Sequence, residues 1–270
     1  MNILDEIFAH KKAGLAQQKK ILPLADLRQA AEASPQPPAF IQALQASHKG
    51  TSEPALIAEV KFASPSRGVL VHHPDPLGLA GQYICSGAVA ISVLTEEKYF
   101  HGRLQYLEEI HRRFPAMPLL RKDFLCDPYQ LYEARVAGAS AALLIAAALD
   151  PALLADLHAL AAELALAALV EVHDLAELET ALSLPGLALI GVNNRDLRTF
   201  RVDLQTCLDL RGLVPASVCY VAESGIQTRE DVRRLSAAGV EAILVGESLV
   251  TAPDVPQAVR DLIGKGAPCT

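Results

Sequence analysis

Glu59 and Lys61 stand two residues apart in the stretch Ile57–Gly68, IAEVKFASPSRG, an apolar run that breaks into a Ser-Pro-Ser-Arg-Gly turn. Alternate residues of a β-strand project from one face, so a carboxylate and an ammonium leave the end of a buried element together. An unpaired buried charge is costly, so the two either satisfy each other or serve something bound there. Taken alone, a structural ion pair explains them as well as a site does. The arrangement recurs along the chain, however. Lys122 with Asp123 follows the apolar run Leu119–Arg121, Glu171 lies in Ala168–Val172, and Asn193, Asn194 and Arg195 follow Ala188–Val192. Glu223 and Ser224 follow Val218–Ala222, and Gly246-Glu247-Ser248 follows Ala242–Val245. Two lysines and three glutamates gathered at one place exceed what a structural charge ring requires, and acid–base chemistry is the reading they favour.

The elements that must gather them come in a regular order. With Leu56–Val60, Val89–Leu94 and Ala141–Ile145 the apolar runs number eight, and helical patterns separate them: Pro76–Ser86, Leu104–Phe114, Pro128–Ala137, Pro151–Leu166, Leu175–Leu184, Leu204–Leu210, Thr228–Ala238 and Val255–Ile263. Strand and helix alternating eight times is what a closed (β/α)8 TIM barrel requires, and in that fold the strands' C-terminal ends share one mouth. Gly87, Gly138 and Gly239 stand where left-handed helix ends are expected, and Asp127, Asp150 and Asp174 stand at helix starts. An open doubly wound sheet ranks lower, because no GxGxxG follows the first strand. At the last two strand ends, Ser224-Gly225-Ile226 precedes a helix and Gly246-Glu247-Ser248 can form a helical turn. Backbone N–H groups at such turns bind phosphate in many barrels, with Arg195 as a charged donor; ordinary loop glycines are the plainer alternative. Glu247 is awkward beside a phosphate and is expected to point away, leaving its N–H to bind.

Residues 1–50 precede every strand and read as an N-terminal helical extension, with Ile3, Leu4, Ile7 and Phe8 on one helical face; 51–270 read as the barrel, giving one functional domain overall. A mean hydropathy of +0.25 promises a sizeable core, and the net charge of −7, without a Lys/Arg face, argues against nucleic acid as a partner. The longest apolar run, Ala141–Leu149, is too short for a bilayer and no signal-peptide core opens the chain, so membrane partners are not expected and the chain reads as cytoplasmic. Its five cysteines show no CxxC spacing and its eight histidines no HExxH, so neither a disulfide frame nor a metal site is expected. Oligomeric state stays open between monomer and homodimer.

These motifs carry a family resemblance. IAEVKFASPSRG at 57–68, ISVLTEEKYFHG at 91–102, LLRKDFLCDPYQLYEAR at 119–135, LVEVHD at 169–174, IGVNNRDLRTF at 190–200, AESGI at 222–226 and VGESLV at 245–250 resemble indole-3-glycerol phosphate synthase across essentially the whole chain. The resemblance implies ring closure, decarboxylation and dehydration of 1-(2-carboxyphenylamino)-1-deoxyribulose 5-phosphate, with no cofactor and a small sugar phosphate as partner. By the family's pattern Lys122 is the acid for ring closure, Lys61 meets the anthranilate carboxylate, Glu171 is the base, Glu59 assists or orients the lysines and Asn193 holds substrate oxygens. Glu223 is implied to bind ribulose hydroxyls or Lys61, with a structural partnership as the alternative. Phe100, Phe124, Leu143 and Leu197 match the wall of the aryl site, though core packing explains any one of them. An ammonium of pKa about 10.4 is a weak acid at neutral pH, so desolvation or the neighbouring lysine is expected to lower the acid's pKa. The resemblance also places the extension over the barrel mouth. Phe62 and Ala63 stand where many members of the family carry basic residues. Other readings are a different phosphate-binding barrel isomerase or aldolase, and a non-catalytic barrel that binds a sugar phosphate.

Overall fold

In the computed structural model, which describes residues 3–51, 53–196 and 201–264, eight parallel strands close on themselves. In chain order they are β1 (Ala55–Val60), β2 (Ala90–Leu94), β3 (Leu119–Lys122), β4 (Ala141–Ile145), β5 (Ala167–Val172), β6 (Leu189–Asn193), β7 (Cys219–Glu223) and β8 (Ala242–Val245). Each pairs with its sequence neighbours, and β1 pairs with β8, so the sheet has no open edge. ALIAEV, AALLI and AALVEV are buried almost throughout, the pattern of parallel strands covered on both faces. This is the (β/α)8 barrel read from the sequence, with strand ends moved by no more than one residue.

Three helices precede the barrel: α1 (Ile3–Ile21), α2 (Leu24–Ala33) and α3 (Phe40–Thr51). The barrel's own helices are α4 (Pro76–Ser86), α5 (Leu104–Arg113), α6 (Pro128–Val136), α7 (Pro151–Glu163), α8 (Leu175–Leu182), α9 (Gln205–Arg211), α10 (Arg229–Ala237), the single turn α11 (Glu247–Val250) and α12 (Val255–Ile263). Asp127, Asp150 and Asp174 each accept a backbone N–H at a helix start, which satisfies a donor the helix itself leaves free. Gly87, Gly138 and Gly239 all have left-handed φ, of 110°, 91° and 79°, as their positions after helices predict. Among the described residues no helix is long and apolar enough to cross a membrane.

The extension is fastened at several places. α1 buries Leu4, Ile7, Phe8 and Leu15. Its Lys11 reaches Asp123, just past β3, at 2.8 Å, and its Lys19 reaches Asp127 at 2.7 Å. The predicted helix is therefore present at the mouth end of β3. α2 packs on α6, whose Arg135 donates to Ser34 and Pro35 carbonyls at 3.0 and 2.6 Å, and α3 packs against β1 and β2.

Candidate active site

Barrel closure brings the charged strand ends into one cavity of about 780 Å³. Glu59, Lys61, Lys122, Glu171, Asn193 and Glu223 line it, together with Arg195, Ser224, Gly225, Gly246, Glu247 and Ser248. Phe100, Phe124 and Leu143 also line it, beside Leu94, Ile145 and Leu244. Leu197 lies outside the described residues.

Strand register sets the geometry. Glu171 of β5 is level with Gly191 of β6, and Asn193 of β6 with Glu223 of β7. The absent side chain at Gly191 is what admits Glu223, since a Cβ there would collide with Glu223 Oε1. Gly246 likewise makes way for Glu59, whose Oε2 would be 2.5 Å from an added Cβ. Lys122 at the end of β3 projects between two carboxylates: its Nζ is 2.9 Å from Glu171 Oε2 and 2.9 Å from Glu223 Oε2. Lys61 Nζ is 3.3 Å from Glu59 Oε2 and 5.5 Å from the centre of the Phe100 ring. The strand-end pair is thus an ion pair and part of the cavity wall at once.

Protonation follows from these contacts. Desolvation is the largest influence on Lys122 and disfavours its charge, but Glu171, Glu223 and Glu59 together outweigh it and hold the ammonium above the ordinary lysine range. This corrects the predicted lowering: the neighbours that count are three carboxylates, not the second lysine. Burial raises Glu171, yet Lys122, His173 and hydrogen bonds from Lys122 and Asn193 hold it well below the usual carboxylate range. Glu223 goes the other way. Its desolvation and the charge of Glu171 outweigh Lys122 and push it up to about 7. Its cationic partner is Lys122, which corrects the reading that offered Lys61.

The opposite wall is made of turns. Ser224 and Gly225 are both left-handed, with φ of 65° and 80°. Asn194 holds this turn, donating to the Glu223 and Ser224 carbonyls at 2.9 and 3.2 Å while accepting the Cys207 N–H at 3.0 Å. Ser248 Oγ donates to the Ile226 carbonyl at 3.0 Å, tying α11 to the turn after β7. Glu247 does not point away. Its carboxylate faces Arg67 at 3.4 Å and Arg195 at 3.8 Å, because two guanidinium groups converge on it.

Several contributors escaped the reading of strand ends. Arg67 lies in the SPSRG turn, whose residues 63–64 and 68–69 pair as a short hairpin. Glu96 is fully buried and accepts the N–H groups of Lys98, Tyr99 and Phe100 at 3.0, 2.7 and 3.0 Å, which turns Phe100 to the cavity. Phe124 then packs between Phe100 and Phe8 of α1, with ring centres 5.8 and 5.6 Å apart. Asp123, which also borders the cavity, is held by Lys11, Arg121 and Thr95. His173 stands behind Glu171, its Nε2 3.5 Å from Glu171 Oε1. The sequence signals were present, a charged residue inside each quoted motif, but their partners lie on other elements.

Two ammonium groups and three buried carboxylates at the C-terminal mouth of such a barrel define an acid–base enzyme of the (β/α)8 class. The family model described as indole-3-glycerol phosphate synthase matches residues 4–262. The synthase of Roseiflexus castenholzii is 49% identical over 270 residues, covering 97% of this chain and 98% of that protein. That of a Polaromonas species is 49% identical over 263 residues, covering 97% and 98%, and the chloroplastic synthase of Arabidopsis thaliana 43% identical, covering 98% of this chain and 67% of that protein. The chain belongs to the indole-3-glycerol phosphate synthase family, carbon–carbon lyases of tryptophan biosynthesis that act on a small-molecule phosphate. More distant solved structures share the fold alone. A 3-hexulose-6-phosphate synthase has a TM-score of 0.62 at 17% identity, covering 79% of this chain and 100% of that chain. The one from Salmonella typhimurium has 0.64 at 13%, covering 78% and 97%.

Proposed function

We propose that this cavity closes, decarboxylates and dehydrates 1-(2-carboxyphenylamino)-1-deoxyribulose 5-phosphate, with Lys122 as the acid for ring closure. The observation that carries the reading is Lys122 held between Glu171 and Glu223 across from the glycine turns after β7 and β8. In this pose the phosphate sits on the turn amides of Ser224, Gly225, Gly246, Glu247 and Ser248 near Arg195. The aryl ring lies against Phe100, Phe124 and Leu143, and its carboxylate meets Lys61. Glu59 orients Lys61, and Asn193 holds a substrate oxygen.

A tightly held proton on Lys122 suits this chemistry. Attack of the aryl carbon places positive charge on the substrate nitrogen and negative charge on the ketose oxygen. An alkoxide binds a proton more strongly than an amine does, so Lys122 gives its proton up only as the bond forms. Its loss then removes the cation that kept Glu171 acidic, and burial makes that carboxylate the base that dehydration needs. Departure of CO2 frees Lys61 to protonate the leaving hydroxyl. Glu223 orients Lys122. We infer that the enzyme works in the cytoplasm, a reading supported by cysteines that show no disulfide-type spacing.

The test is indole fluorescence on purified protein given the carboxyphenylamino-deoxyribulose phosphate. The chain has no tryptophan, so new indole emission reports product. Lys122→Ala is expected to lower kcat by about 10²–10⁴-fold. Undiminished turnover in that variant would sink the acid role, and no emission from the wild type would sink the reading as a whole.

A further inference from the structure

The reaction just proposed does not balance in protons within the cavity. A carboxylate anion leaves as neutral CO2, and the ketose oxygen leaves as water. Ring closure takes one proton from Lys122. Dehydration takes one from Lys61 and returns one to Glu171. Glu171 can hand its proton to Lys122 or Lys61, but one ammonium stays discharged. Each turnover therefore draws one proton from solvent into the cavity.

Behind Glu171 lies a structure suited to that delivery. Glu171 turns Oε2 to Lys122 at 2.9 Å and leaves Oε1 facing His173 Nε2 at 3.5 Å. His173 directly follows β5 and immediately precedes the Asp174 cap of α8. Glu177, in the first turn of α8, accepts the His173 backbone N–H at 2.8 Å and contacts Nδ1 at 3.0 Å. That contact fixes a proton on Nδ1 and aims Nε2, which has no hydrogen-bond partner of its own, at the Glu171 carboxylate. Among the described residues His173 is not part of the cavity lining, yet 12% of its side chain meets solvent, and Glu177 is 21% exposed.

We propose that His173, held by Glu177, is the inlet through which solvent returns the missing proton to the lysines by way of Glu171. Once Glu171 has returned the dehydration proton to one lysine, the imidazolium gives its Nε2 proton to Glu171 and Glu171 passes a proton on to the other lysine. Because Nε2 is itself buried, the neutral ring rotates it outward to take up a solvent proton and rotates back. One proton enters for each CO2 that leaves, and no other bond changes. The groups facing the ring favour its charged form. Burial, the largest influence, disfavours it, but the Glu177 hydrogen bond and the charges of Glu171 on β5, Glu177 on α8 and Glu223 on β7 prevail and raise its pKa above the ordinary histidine value. His173 is a positioning and proton-supplying residue, since it acts through Glu171. The inference rests on Glu171 and Lys122 having the roles proposed above.

The experiment compares the first turnover with the steady state in His173→Gln, by rapid mixing with the carboxyphenylamino-deoxyribulose phosphate. The resting enzyme already holds its lysine protons, so the first turnover is expected to stay near the wild-type rate. The steady-state rate is expected to fall at least about tenfold, below the ~10²–10⁴ of a group acting in the transition state. Added imidazole buffer should restore it in proportion to imidazolium concentration. Glu177→Gln keeps an acceptor at Nδ1 but removes its charge, and should shift the alkaline limb of the steady-state pH profile to lower pH. An unchanged steady state in His173→Gln overturns the inlet. So does equal loss of first turnover and steady state without imidazole rescue, which is the mark of a purely structural role. Glu171→Gln separates the two levels: if it still turns over at the wild-type rate, the assignment of Glu171 is what failed.

Discussion

Glu223 shows how one residue can serve the site at the expense of the fold. Burial and the neighbouring Glu171 make its carboxylate hard to ionise, and Lys122 only partly offsets them. Its folded pKa, near 7, lies above the unfolded value near 4.5. The folded protein therefore binds more protons than the unfolded chain between those values, and stability falls as pH rises through that window. Glu171 acts in reverse: its depressed pKa contributes stability above the unfolded value that is lost as pH drops well below it. Glu223→Gln removes the ionisable group and keeps its shape. Differential scanning calorimetry is expected to show a Tm gain of roughly 2–4 °C at about pH 8.5, the shift that ~1 kcal/mol gives a chain this size. Near pH 5.5, low in that window, the gain should be smaller, and it should vanish only below the unfolded value near 4.5, where Glu223 is neutral in both states. Lower activity should accompany the gain, as when a strained site is relieved. An equal Tm change at both pH values would show that Glu223 is not titrating in this window.

Elements place these residues by what they omit as much as by what they carry. β6 admits Glu223 only because position 191 has no side chain. Gly191→Ala should leave the barrel folded but displace the carboxylate beside Lys122, lowering kcat about tenfold or more while circular dichroism and KM change little, as expected when positioning is disturbed by about 1 Å. α1 acts on the site from outside the barrel. Asp123, next in sequence to Lys122, is fully buried and divides its oxygens among Lys11, Arg121 and Thr95. Lys11→Met keeps the aliphatic stem but removes one charged hydrogen bond, and urea unfolding is expected to show a loss of about 1.5–3 kcal/mol. The strands, caps and left-handed glycines were legible because each is set by neighbours within a few residues, and the Glu59–Lys61 pair was legible because its members are two apart. Lys122 meets Glu171 across 49 residues of sequence, and nothing local announces such a meeting. That is why residues lining the cavity could be read from strand ends, whereas the direction of the Lys122 pKa, the partner of Glu223 and the backing of Glu171 by His173 could not.

Closure of the whole barrel produces one contact that no single element explains. Arg67 follows β1, Arg195 follows β6 and Glu247 follows β8, and the barrel mouth sets the carboxylate of the last between the guanidinium groups of the other two, at 3.4 and 3.8 Å. All three line the cavity beside the turns after β7 and β8. In the resting protein the carboxylate partly neutralises two groups well shaped for a phosphate. A bound phosphate competes with it for the arginines and feels its negative charge as well, so Glu247 weakens anion binding while its own backbone N–H aids it. Solvent screens the effect, since the Arg67 side chain is 62% exposed. Glu247→Gln should then bind anions several-fold more tightly, and because a ligand that binds only the folded state raises Tm in proportion to RT ln(1 + [L]/Kd), inorganic phosphate should stabilise the variant more than the wild type. Thermal melts across a phosphate titration, with chloride as the ionic-strength control, measure this directly. A smaller phosphate-dependent shift in the variant would mean that Glu247 holds Arg67 and Arg195 in position for the anion. The carboxylate would then be an orienting partner, and its removal would loosen the mouth instead of opening it to phosphate.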